Sequence, residues 1–203
     1  MNITRNIKDA YIDYKYFLNR GYSRKIALDA ISARYNLSRL ERLLLYRCVH
    51  SDSEITNVKS KIIETNKELV IDGYNVALTL IAGMKGEEIY ECDDGFFRDL
   101  GLGKHKNSEM LSDVLVLVVE YCEKLKIRCE VILDKQISKS GEISSELRKR
   151  GIIAKTVDKA DKEVIISKKP VYSNDFVILY NSHMISTVLN DLFQDYKIVK
   201  LNW

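Results

Sequence analysis

From about residue 67 onward, apolar runs of strand length alternate with helical stretches, and this constrains the fold more than any other feature of the sequence. Residues 69–71, 128–133, 152–157, 171–173 and 197–201 read as strands. Residues 107–125, 144–150, 159–167 and 182–193 read as helices between them. Strands that are apolar throughout are buried on both faces, and strand-helix alternation supplies the covering helices. The expected class is α/β, a mostly parallel sheet with helices on both faces.

The first sixty residues read differently. Ala10, Tyr11, Tyr14, Phe17 and Leu18 recur at helical spacing, and Asn19-Arg20-Gly21 supplies a stop. Ser23 then caps a helix bearing Ile26, Ala27, Ala30 and Ile31, and Ser38 caps another bearing Leu40, Leu43, Leu44 and Cys48. Residues 27–47 have the outline of a helix-turn-helix, with Arg39, Arg42 and Arg47 on its second helix. Nucleic-acid contact and plain packing of a helical domain are both compatible with that spacing. Residues 51–67 lack Gly and Pro and carry Ile55, Val58, Ile62 and Ile63 at helical intervals, so the connection is expected to be a helix. The domains expected are 1–60, small and all-α, and 67–203, α/β.

Charge is distributed unevenly. Residues 1–59 hold eleven Lys or Arg against six Asp or Glu, while the remainder holds twenty-one against twenty-three. A basic part beside a slightly acidic one suits a protein that handles nucleic acid over a carboxylate-lined site, and also suits a solvated helical surface. Neither a membrane-length apolar run nor a secretory signal is visible, so a cytoplasmic protein without membrane partners is expected. Cys48, Cys92, Cys122 and Cys129 form no Cys-x-x-Cys pair, and buried thiols are expected rather than disulfides or a zinc site.

In open parallel sheets, ligands gather at the carboxyl ends of the strands. Three apolar runs end in or near an acid there: Val70-Ile71-Asp72, Val131-Ile132-Leu133-Asp134 and Val171-Tyr172-Ser173-Asn174-Asp175. Asp161 opens the helix after the run that ends near Val157. Grouped carboxylates stay ionised only around a cation, and oxygen ligands without His or Cys point to Mg²⁺ or Mn²⁺. Each acid also has a simpler role open to it. Asp72 and Asp134 could shape turns, Asp175 could cap a helix, and Asp158 with Asp161 stands at capping-box spacing.

The segment from Val70 to Val76, with Asp72, Gly73 and Asn75, resembles the first strand and turn of the PIN and NYN-type nuclease superfamily. Val171 to Asp175 resembles its late strand, and Asp161 its helix-start aspartate. A narrower resemblance is to an uncharacterised prokaryotic family that joins an N-terminal helical domain to a PIN-like domain. It is carried by Asp93-Asp94-Gly95-Phe96-Phe97-Arg98-Asp99-Leu100 and by residues 133–141. The resemblance implies divalent-metal cleavage of single-stranded RNA, with Asp72, Asp161 and Asp175 holding the metal. Asp94 or Asp134 completes the shell in this reading, and Asn75 orients Asp72 or contacts the scissile phosphate. The family's second acid has no clean counterpart: Glu87, Glu88, Glu91, Asp93, Asp94 and Asp99 compete for it. Asp94 is chosen for its neighbours Gly95 and Arg98, with Arg98 either holding a phosphate or forming a salt bridge.

Further candidate RNA contacts are Lys104 and Lys106 in a basic glycine-containing loop, and Ser138 and Ser140 in a Ser-Lys-Ser-Gly turn. The function expected is a metal-dependent ribonuclease, with DNA binding through the N-terminal domain as an added partner and a homo-oligomer compatible with the sequence. Two other readings stand beside it: a non-catalytic PIN-like RNA-binding adaptor, and a helix-turn-helix regulator with a ligand-sensing α/β domain.

Overall fold

The computed structural model describes residues 6–64, 67–102 and 109–201. The chain opens with four helices: α1 (Ile7–Asn19), α2 (Arg24–Tyr35), α3 (Arg39–Cys48) and α4 (Asp52–Lys59). Local chemistry sets their starts. The Ser23 side chain accepts from the Ile26 N–H, and Ser38 and Ser51 form full capping boxes with Glu41 and Glu54. Asn36 ends α2 in the left-handed region at φ 50°. Ala10, Tyr14, Ala27, Ile31 and Leu45 bury the shared core of α1, α2 and α3.

The rest of the chain runs β1 (Glu68–Asp72), α5 (Gly73–Met84), β2 (Ile89–Glu91), β3 (Phe97–Arg98), α6 (Leu111–Lys124), β4 (Arg128–Asp134) and α7 (Ser140–Lys149). It continues through β5 (Ile153–Val157), α8 (Ala160–Ile165), β6 (Val171–Tyr172), α9 (Phe176–Asn181), a 3-10 helix (Val188–Phe193) and β7 (Ile198–Lys200). The main sheet has the order β5-β4-β1-β6, every pairing parallel. Its strands are covered on both faces, as their composition requires. Leu69, Ile71, Val131 and Leu133 pack with residues of α5, α6 and α7, while the alternate residues Val70, Ile132 and Val171 pack with Ala160, Val164 and Ile178 from α8 and α9. Period-two alternation thus divides one apolar run between two helical layers.

Four features depart from expectation. Residues 73–84 form α5, a helix not read from the sequence. Its first residue is a contact point: a Cβ on Gly73 would stand 2.8 Å from Leu133 Cδ2 and Val131 Cγ1, so glycine lets α5 start directly against β4. Residues 182–193 are not one α-helix, because Ile185 bridges in parallel to both Ile62 and Val171 before the 3-10 helix begins. The last strand leaves the main sheet and pairs with β2, in a second sheet of order β3-β2-β7.

The cysteines are also paired, Cys48 with Cys92 and Cys122 with Cys129. Spacing gave no sign of the first pair, because its partners meet only when α3 docks on the second sheet. There Leu44 and Cys48 pack with Tyr90, Cys92 and Leu100. The N-terminal helices thereby pack on the α/β region through one face of α3, the helix that a helix-turn-helix reading assigns to DNA.

Candidate functional site

Each strand of the main sheet brings an aspartate to its carboxyl end. Asp72 closes β1 and Asp134 closes β4; Asp161 lies in the first turn of α8 after β5, and Asp175 follows β6. Because the four strands are parallel, all four acids stand along one edge.

Asp72 is the buried member, 2% exposed. Its Oδ2 accepts from Asn75 Nδ2 at 2.7 Å and from Ser173 Oγ at 2.5 Å. The first donor comes from the opening turn of α5 and the second from the neighbouring strand end, so two separate elements orient one carboxylate. Burial pushes Asp72 up to about 6, and the like charges of Asp161 and Asp175 push the same way against these two hydrogen bonds. Asp161 is also raised, by burial first and then by the charges of Asp175 and Asp134. Asp72 and Asp161 are therefore the two members that respond to the charge of their neighbours.

Their simpler roles are present as well. Asp175 Oδ1 accepts from the backbone N–H groups of Val177 and Ile178 and caps α9, while Asp134 Oδ1 accepts from the Gln136 N–H in a turn. These bonds leave the second oxygen of each carboxylate for other work. Among the described residues, the trio of potential ligand atoms that closes to within 4.8 Å is not drawn from these acids but from His50, Asp93 and Asp94.

That trio is already satisfied. Both oxygens of Asp94 accept from Arg98, at 2.9 and 2.5 Å, and Asp94 Oδ1 also takes the Phe96 N–H. Asp93 takes the His50 backbone N–H at 2.7 Å and stands 2.6 Å from His50 Nδ1. The cation such a cluster calls for is supplied by Arg98, which is 2% exposed and donates its Nε–H to the Asn174 carbonyl. Of the two roles read for Arg98, the salt bridge is the one formed, and Asp94 is committed to it. Burial drives His50 down to about 3, with Arg98 acting in the same direction, so the ring is neutral.

The remaining sequence candidates are spread out. Asn75 orients Asp72. Ser140 is buried at the start of α7, with its hydroxyl 3.4 Å from the Lys135 carbonyl, whereas Ser138 is exposed. Arg39 is exposed, and Arg42 is paired with Asp29 at 2.7 Å. Lys104 and Lys106, with the rest of their loop, lie outside the described residues.

A cleft between the N-terminal helices and the α/β region went unread in the sequence. Arg24, Tyr46 and Arg47 line it from the helical side, and His50, Arg98, Asn174, Asp175 and Phe176 complete it. Its signal was there in part, as arginines outside the helix-turn-helix start, but no local pattern links residue 24 to residue 176.

Residues 62–190 match the family described as "Domain of unknown function (DUF5616)", and residues 6–61 match "Protein of unknown function (DUF434)". The "Uncharacterized protein MJ0935" of Methanocaldococcus jannaschii is 36% identical over 151 residues, covering 71% of this chain and 73% of that protein. The chain belongs to the DUF5616 family. No solved structure matches it. The DUF5616 match takes in β1 to β6 and with them all four strand-end aspartates, while the DUF434 match takes in Arg24, Tyr46, Arg47 and His50. The cleft is therefore built from both matched regions, and the acidic edge from the DUF5616 region alone.

Proposed function

We propose that this protein is a divalent-metal-dependent ribonuclease with a PIN-like α/β domain, acting on single-stranded RNA at the carboxyl edge of its parallel sheet. The observation that carries this reading is the delivery of one aspartate by each of the four parallel strands to the same edge, with the most buried of them held by two side-chain donors.

The donor set fits Mg²⁺ or Mn²⁺. It consists of carboxylate oxygens, and two of its members, Asp72 and Asp161, have raised pKa values that a cation would bring down. Mg²⁺ keeps several of its waters and needs only one or two direct carboxylates, so acids that do not close into a tight cage are suited to it. Asp72, Asp161 and Asp175 would hold the ion, with Asp134 at the border of the group. When bound, such an ion supplies Lewis-acid activation of water and stabilisation of the leaving oxygen. The chain's own part is orientation: Ser173 and Asn75 fix the Asp72 carboxylate, and the cap on α9 fixes Asp175.

The looser spacing of the acids also favours a second reading, an RNA-binding adaptor that keeps the fold without catalysis. One assay separates them. Labelled single-stranded RNA is incubated with the wild type and with Asp72→Asn, each with Mn²⁺ or with chelator. The nuclease reading expects cleavage by the wild type with Mn²⁺, and a loss of at least about a hundredfold on Asp72→Asn or chelation. Cleavage indifferent to both changes would exclude this site, and binding without cleavage would leave the adaptor.

A further inference from the structure

We propose that the cleft between the helical domain and the sheet binds one nucleotide of a single-stranded nucleic acid, with its phosphate on Arg24 and Arg47 and its base against Tyr46. The proposal rests on the preceding reading for what happens to the strand afterwards, but the binding itself does not depend on catalysis.

Three guanidinium groups reach this cleft, and they differ in how fully they are occupied. Arg98 is committed to Asp94 and to the Asn174 carbonyl. Arg24 is anchored by Nη1 to the carbonyls of Tyr46 and Val49, at 3.0 and 2.6 Å, while its Nη2 meets Glu54 only at 3.4 Å. Arg47 likewise meets Asp99 only at 3.4 Å. Contacts of that length lie beyond the ordinary range of N–H···O bonds, so both arginines retain donors that a phosphate oxygen would take at shorter range. Glu54 and Asp99, ion-paired with Arg24 and Arg47, temper the positive charge, and a phosphate would compete with them for these donors.

Aromatic surface stands beside the donors. Tyr46 is 50% exposed, and the Arg24 guanidinium lies 5.9 Å from its ring centre. Phe176 is stacked on His50 at 3.6 Å, with Arg24 and Arg98 at 5.7 and 5.9 Å, which gives the floor a fixed, flat shape. An exposed ring next to an anchored arginine is the pairing that holds an unstacked base and its phosphate. A duplex keeps its bases stacked and cannot offer one. The same wall contains Asn174, whose carbonyl holds Arg98 in place and whose side-chain amide donates to the Phe97 carbonyl. The cavity, about 170 Å³, is smaller than the roughly 300–1,000 Å³ typical of sites that enclose a whole small ligand, so it seats the phosphate while the base lies outside it against the exposed Tyr46 ring.

Placement gives the cleft its meaning. Asp175 lines it, and the Ser173 hydroxyl that donates to Asp72 also accepts the Asp175 N–H, so the cleft and the acidic edge meet at the end of β6. A strand held by one nucleotide here passes directly on to the acidic edge.

The test is fluorescence anisotropy with a labelled eight-nucleotide single-stranded RNA of mixed sequence, in chelator so that nothing is cut. Arg47→Glu should weaken binding by about tenfold or more and flatten the salt dependence, and Tyr46→Ala should weaken it by about fivefold. Tyr46 is exposed, so its variant keeps the test decisive even where Arg47→Glu fails to fold. Wild-type affinity in both Tyr46→Ala and a folded Arg47 variant, failure of the wild type to bind, or tighter binding of duplex than of single strand would each overturn the proposal. Binding that needs Arg47 and Tyr46 in a protein that never cleaves would sustain the cleft and remove the nuclease reading. Cleavage that needs Asp72 while binding ignores both residues would do the reverse.

Discussion

At the scale of single residues, the buried polar groups divide by what neutralises them. Asp94 has Arg98 as a full partner, whereas Asp93 has a neutral imidazole, a backbone N–H and Lys15 at 3.6 Å. Burial outweighs these and raises Asp93 from 3.8 to about 6. The consequence for stability has a definite sign. Between pH 3.8 and about 6 the folded state holds a proton on Asp93 that the unfolded chain has released, so this carboxyl contributes stability at low pH and loses it as pH rises. His50 acts oppositely, since the unfolded chain takes up its proton on acidification before the folded protein does. Comparison with Asp93→Asn reads the first effect, and repeating it in a His50→Gln background removes the coupling to the ring 2.6 Å away. Urea unfolding from pH 4 to pH 7 should show wild-type stability falling relative to Asp93→Asn up to about pH 6 and level above it. A difference that rises with pH would mean Asp93 is ionised and paired throughout.

At the scale of elements, the junction of β1 and α5 shows how site and scaffold constrain each other. Asp72 ends the strand, Gly73 begins the helix, and the missing Cβ of Gly73 is what lets the helix approach β4. Gly73→Ala brings a methyl group to 2.8 Å from two core side chains and 3.0 Å from the Ile132 carbonyl. Overpacking of this kind costs roughly 1–3 kcal/mol, and a midpoint shift in urea unfolding would measure it; no change would show that α5 can slide. In the sequence, Asp72-Gly73 read as strand end and turn, which located the acid correctly but hid the helix behind it. The four main-sheet strands were legible because each is a short run of apolar residues. The small second sheet was not, since β2 and β3 have three and two residues and take their places from pairing. Asp72, Asp134, Asp161 and Asp175 were legible by position at strand ends. Tyr46, Arg24 and Phe176 were not, because the cleft depends on how α3 docks against β2 and β7.

At the scale of the whole molecule, a parallel sheet with an acid at every carboxyl end concentrates like charge along one edge. Two of these acids have raised pKa values with other members of the group among the causes, so part of the fold's stability is lost to repulsion there. A bound cation reverses that loss, and any ligand that binds only the folded state adds stability according to its concentration over its dissociation constant. Mn²⁺ at about a hundred times its dissociation constant contributes about 2.7 kcal/mol. For a chain of this length that corresponds to a rise of about 5–10 °C in Tm. The same logic gives Asp161→Asn two opposite effects: it should raise the Tm slightly in chelator, by removing one repelling charge, and should lose most of the rise produced by Mn²⁺. A structural role for Asp161 at the start of α8 predicts instead a lower Tm in both conditions and an unchanged response to Mn²⁺. If the wild-type Tm ignores Mn²⁺ and Mg²⁺ alike, the acidic edge is not a cation site, and the repulsion along it needs another explanation.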